Sequence, residues 1–169
     1  METKQKERNE QAIKKEQEKE CSREKMVELL NQDLAREYQA IIAYVVYSQT
    51  IKGAEYTAIA KELKEHASEE LEHAIKIARQ IDHLGGTPTV VARPVESSPE
   101  AVKMLRFDLH NERETIANYR ERIRQADAMG EFALGEVLRT IIAQEQEHEA
   151  DLCDALGIEV PVLPEPAAR

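Results

Sequence analysis

Six side chains with metal-ligand chemistry occur in this chain as two sets of three, and the two sets have identical internal spacing. Glu37 is followed by Tyr44 and then by Glu70-x-x-His73; Glu112 is followed by Tyr119 and then by Glu145-x-x-His148, every position shifted by 75 residues. On a helix, residues three apart lie on nearly one face, so each Glu-x-x-His presents a carboxylate beside an imidazole. Seven residues is close to two turns, so Glu37 with Tyr44 and Glu112 with Tyr119 also share faces. Four carboxylates facing a helical core would resist ionisation unless their charge is compensated. Two divalent cations would cancel it. Mixed oxygen and imidazole donors with room for open positions favour iron or manganese over a closed zinc site.

The elements that must position these groups repeat with them. Leu30, Asp33, Leu34 and Ile41 correspond to Leu105, Asp108, Leu109 and Ile116, and Leu63 and Ile77 correspond to Leu138 and Leu152. A duplicated helical hairpin explains this register. The period is too long, and two copies too few, for a stacked solenoid, which leaves a closed bundle with pseudo-twofold symmetry.

Apolar residues recur at helical spacing from about residue 24 to 51, which predicts a first helix, α1. Gly53 breaks it, so α2, about 54–84, turns back antiparallel and stops at Gly85-Gly86. Residues 87–97 carry two prolines and no helical period and read as an extended connection. Ser98 is the expected N-cap of α3, with Pro99 at the first helical position, running to about residue 128. Gly130 separates it from α4, about 131–156, which Gly157 ends. Helices of this length span about 42 Å, a distance the long connection can just cover, so α3 can start at the far end of α2. Short, long, short connections point to an all-α, ferritin-like four-helix bundle with one long crossover between the second and third helices.

Composition agrees. The 169 residues suit one domain, and six Gly, six Pro, no Trp and 33% charged residues suit long amphipathic helices. The expected organisation is a charged extension over residues 1–24, frayed or disordered, a metal-binding domain over 25–157 and a proline-rich tail over 158–169. The formal charge of −10, with residues 1–25 netting only +1, argues against nucleic acid as a partner. No stretch approaches 18 uninterrupted apolar residues, so no membrane association and a cytoplasmic location are expected. Cys21 and Cys153 lack any motif spacing and read as free thiols, Cys153 as a small buried hydrophobe. His66, His83 and His110 are assigned no metal: His110 has no partner at ligand spacing, and His83 suits the negative end of the helix dipole.

The stretches 30–44 (LNQDLAREYQAIIAY), 69–74 (EELEHA), 84–88 (LGGTP) and 144–149 (QEQEHE) together resemble the bacterioferritin branch of the ferritin-like superfamily, over about residues 26–157. The resemblance implies Glu37 and His73 as terminal ligands of one iron, Glu112 and His148 of the other, and Glu70 and Glu145 as bridges. It implies oxidation of Fe(II) by dioxygen or peroxide and storage of Fe(III) in a homo-oligomeric cage. Tyr44 matches the family's tyrosine beside the centre, a hydrogen-bond partner of a ligand or an electron donor. Glu65 and Glu69 fall where some relatives bind a further iron, although a solvated helix face is the expectation here. The family's haem-ligating methionine would fall between Glu70 and His73, where this chain has Leu71 and Glu72, so haem through that ligand is not expected. His148 separates the chain from animal-type ferritins. Thr115 and the lack of a cysteine-rich domain separate it from rubrerythrins. The alternative within the same fold is a discrete di-iron redox enzyme that reduces peroxide or activates oxygen without storing mineral.

Overall fold

A computed structural model describes residues 22–161. Cys21, nearly all of the charged extension and the end of the proline-rich tail lie outside them. Four helices dominate: α1 (Arg23–Thr50), α2 (Thr57–His83), α3 (Ala101–Met129) and α4 (Phe132–Leu156), with a 3-10 turn at Ala54–Tyr56 leading into α2. No strand occurs among the described residues.

The helix boundaries have local causes. Ser22 caps α1 by accepting from the Lys25 amide at 3.1 Å. At the end of α2, Gly85 adopts φ 83° and the Gly86 amide donates back to the Ile81 carbonyl at 2.9 Å. A Cβ at Gly86 would sit 2.4 Å from Val27 Cγ1, so α1 approaches too closely there for any side chain. One expected boundary is displaced. Ser98 Oγ accepts from the Glu100 amide, but Pro99 and Glu100 form a bend and α3 begins at Ala101. Because Pro99 is two residues ahead of the helix, Ser98 caps a turn that precedes α3 rather than α3 itself.

The hairpins α1–α2 and α3–α4 pack internally, and α1 against α3 and α2 against α4 join them. The crossover expected from the sequence is visible in its attachments. Residues 87–96 are laced along α1: Asn31 donates to the Thr87 carbonyl and accepts from the Thr89 amide, and the Arg93 amide donates to Ala35 O. Further along, Gln39 donates to Pro94 O and Tyr47 to Glu96 O. The strap therefore runs from the start of α1 to its end and delivers α3 there, antiparallel to α1.

Two apolar clusters fill the bundle. One contains Leu30, Leu34, Ile77, Ile81, Leu138 and Ile141. The other contains Tyr47, Leu63, Leu105, Leu109 and Leu152. On every helix a buried glutamate lies between the clusters, at Glu37, Glu70, Glu112 and Glu145. Each fully buried aliphatic side chain contributes roughly 1.5–3 kcal/mol, and these two plugs offset the cost of the charged layer between them.

Candidate metal centre

The structure brings all six repeated ligands into one buried layer. Glu37, Glu70, His73, Glu112, Glu145 and His148 are each at most 3% exposed. Their donor atoms form two groups of four, Glu37–Glu70–His73–Glu145 and Glu70–Glu112–Glu145–His148, each within 4.8 Å of one another. Glu70 and Glu145 belong to both. His73 Nδ1 lies 3.5 Å from Glu37 Oε2, 3.3 Å from Glu70 Oε2 and 3.2 Å from Glu145 Oε1. His148 Nδ1 lies 3.0 Å from Glu70 Oε1 and 3.5 Å from Glu145 Oε2.

Both imidazoles thus turn Nδ1 inward, and each outer nitrogen is held by the opposite hairpin. His73 Nε2 is 3.1 Å from Gln144 Oε1, and His148 Nε2 is 2.8 Å from Glu69 Oε2. Gln144 Nε2 also donates to Glu69 Oε1 at 3.2 Å, tying the two supports together. Such partners fix the tautomer and ring orientation of a ligating histidine. Sequence reasoning missed this role for Gln144 and took Glu69 for a solvated residue. It is half-buried because α4 crosses over it. The signal was available: Glu69 and Gln144 each precede a ligand glutamate and are 75 residues apart. Glu65, in contrast, is exposed.

The tyrosines cross over as well. Tyr44 donates to Glu112 Oε1 and Tyr119 donates to Glu37 Oε1, so each serves the glutamate of the other hairpin rather than its own. This leaves Oε2 of both glutamates without a partner. Burial, then the nearby Glu112 carboxylate, hold the Tyr44 hydroxyl well above its ordinary value; burial and Glu37 do the same for Tyr119.

Without a metal the charges settle asymmetrically. Burial, reinforced by Glu70 and Glu145, raises Glu37 well above the usual carboxylate range and does the same to Glu112. Burial also acts on Glu70 and Glu145, but the His148 and His73 imidazoles beside them outweigh it and hold both below the ordinary value. Burial opposes charging of the imidazoles, yet the carboxylates around them prevail and raise both, His148 to about 12. These shifts favour charge on the two imidazoles and on Glu70 and Glu145, and disfavour it on Glu37 and Glu112.

The donor set fits a pair of divalent cations. Six buried atoms in this layer lack a hydrogen-bond partner: Glu37 Oε2, Glu70 Oε1, Glu112 Oε2, both Glu145 oxygens and His148 Nδ1. Buried polar atoms are rarely left unpaired, and unpaired atoms converging from four helices mark where a ligand would supply the missing bonds. Elsewhere, Cys153 is buried and free beside Arg113 Nη2 at 3.6 Å, as expected for a small core residue.

Comparison with known proteins identifies the family. The model of the ferritin-like domain matches residues 27–158, and the chain belongs to that family. Among curated proteins, it is 27% identical to the bacterioferritin of Brucella melitensis over 125 residues, 73% of this chain and 78% of that protein. Its fold matches a ferritin-like di-iron carboxylate protein from Bacillus anthracis with a TM-score of 0.76 at 34% identity, covering 79% of this chain and 96% of that one. It also matches the dodecameric thioferritin of Bacteroides fragilis, a bacterioferritin-related protein, with a TM-score of 0.75 at 26% identity over 87% and 93% of the two chains. The bacterioferritin-like character expected from the motifs is thereby established.

Proposed function

We propose that this protein binds two irons inside each bundle, oxidises Fe(II) and holds the product as Fe(III) within a homo-oligomeric cage in the cytoplasm. The observation that carries the reading is the pair of four-donor groups that share Glu70 and Glu145. Glu37 and His73 would hold one ion and Glu112 and His148 the other, with Glu70 and Glu145 available to both. Support comes from the bacterioferritin relatives and from the dodecameric relative.

Bound iron supplies the redox chemistry, each Fe(II) giving one electron to dioxygen or peroxide. The chain does the rest. Gln144 and Glu69 keep the outer imidazole nitrogens occupied so that Nδ1 faces the metals. Tyr44 and Tyr119 occupy Oε1 of Glu112 and Glu37, which reserves Oε2 of each for coordination. Tyr44 Oη carries a proton beside the site and acts there as catalytic hydrogen-bond donor to the Glu112 carboxylate. The two apolar plugs keep bulk water away.

The test is aerobic addition of Fe(II) to purified metal-free protein, followed by measurement of particle mass and retained iron. Rapid oxidation with iron retained far beyond two per chain in a large assembly is the expected result. Oxidation with only two irons retained per chain on a small oligomer would instead identify a discrete di-iron redox enzyme.

A further inference from the structure

His66 stands where the fold requires no polar group. Its counterpart 75 residues later is Ile141, fully buried in the apolar core. In the first hairpin the same register position carries an imidazole only 3% exposed. The ring packs against His148 with centroids 4.0 Å apart and stands edge-on to Tyr44 at 5.3 Å. Its Nε2 lies 3.1 Å from Asp151 Oδ2, while Nδ1 is buried without any partner. Burying an imidazole with an unpaired nitrogen costs stability that an isoleucine would not. Its neighbours depart from the internal repeat too: Glu62 corresponds to Val137, and Asp151 to Lys76.

These departures converge on one place. Donor atoms of Glu62, His66 and Asp151 lie within 4.8 Å of one another. Outward, Glu62 and Asp151 line a groove of about 290 Å³ together with Glu55 and Asp154, and among the described residues no basic side chain lines it. Inward, His66 belongs to a second group with Glu69 and His148, again within 4.8 Å, and His148 belongs to the buried layer. A continuous file of donors therefore joins an acidic surface groove to the metal centre through a single imidazole.

We propose that Glu62, His66 and Asp151 form a third, mononuclear site for a divalent cation, which receives ions from the groove and passes them to the dinuclear centre. Cation binding at this site is independent of the dinuclear reading; the transfer rests on it. Two carboxylates and one imidazole balance a divalent ion and leave the remainder of its shell to water, which suits a site that must release what it binds. Two of its three ligands sit at the protein surface, so the ion retains access to solvent while His66 anchors it from inside.

The test uses Co(II) under argon with the full chain and the Glu62→Gln/Asp151→Asn double variant, which keeps the His66 ring and leaves an amide oxygen able to accept from its Nε2. Anomalous diffraction from Co(II)-soaked wild-type crystals is expected to show an ion among Glu62, His66 and Asp151 that the double variant lacks. Both proteins should show the same pair between Glu70 and Glu145. Oxidation of Fe(II) at subsaturating concentration should slow about tenfold in the double variant, the scale on which a focusing charge raises local cation supply. A wild-type crystal with the dinuclear pair filled and nothing at the third position would overturn the proposal, as would unaltered kinetics in the double variant. An ion at the third position with none between Glu70 and Glu145 would overturn the dinuclear reading and the transfer, and leave the third site standing.

Discussion

Asp33 and Asp108 occupy the same register in the two hairpins, and the protein treats them in opposite ways. Asp33 is fully buried and paired with two cations: Arg36 on its own helix and Arg122, whose Nε donates to Oδ2 at 2.9 Å. Asp108 is equally deep, but the residue that mirrors Arg122 is Tyr47 and the one that mirrors Arg36 is Asn111. Among the described residues no cation faces it and Oδ2 has no partner, and burial followed by the Glu70 charge raises its carboxyl well above the ordinary range. The six central ligands show no such divergence. The two halves keep the six central residues identical while the partners of a neighbouring buried aspartate differ between them.

The largest test of that distinction is Glu70→Ala against Glu145→Ala. Both should abolish fast Fe(II) oxidation to the same extent while far-ultraviolet dichroism stays helical; fast kinetics in either variant would break the equivalence of the halves.

Next in size is the aspartate pair itself. Asp33→Asn takes the carboxylate from two buried guanidinium groups and should destabilise the metal-free protein by about 3 kcal/mol in denaturant unfolding, whereas Asp108→Asn removes a carboxyl whose charged form burial already disfavours and should cost under about 1 kcal/mol. Equal losses would mean that Asp108 is charged.

The supports of the two histidines give a smaller contrast. Glu69→Gln removes a carboxylate from His148 and should weaken Co(II) affinity at that position about tenfold, within the range typical of outer-shell changes. Gln144→Ala should affect the His73 position less, because an amide oxygen polarises the ring less than a carboxylate does. Site-resolved Co(II) titration would distinguish them.

The last contrast is with pH. Both central imidazoles are raised above the unfolded value of about 6.5, His148 to about 12. Their stabilisation of the metal-free fold is therefore complete below about pH 6.5 and is lost as pH rises toward about 12. Glu37 and Glu112, also raised, shift stability in the same direction from about pH 4.5 upward. Glu70 and Glu145, which are lowered, lose theirs as pH falls below about 4.5. Melting of the metal-free protein should drop between pH 6.5 and 9, and the Co(II)-loaded protein, whose ligands have released their protons, should not follow it.

Much of this was legible because it depends on spacing within single helices. Glu70-x-x-His73 and Glu145-x-x-His148 state their own geometry, and the Gly85 to Ser97 connection reveals the crossover by its length alone. The less legible features are those in which one helix meets another. Nothing in the order of residues says that Tyr44 reaches Glu112 rather than Glu37 or that His66 is sealed beside His148, and the matching positions of Glu69 and Gln144 hint at a shared role without saying which histidine each faces. The start of α3 failed for a local reason: Ser98-Pro99 is a good capping pair, but it caps a bend.

The strap over α1 has a mechanical consequence. It is moored at Asn31, Ala35, Gln39 and Tyr47, along most of the helix it follows. Two hairpins joined by a slack tether would be free to slip lengthwise, and a shift of one turn, about 5.4 Å, would part Glu37 and Tyr119. By pinning the second hairpin axially to the first, this unassuming stretch acts as the gauge block that sets the separation between the two four-donor groups.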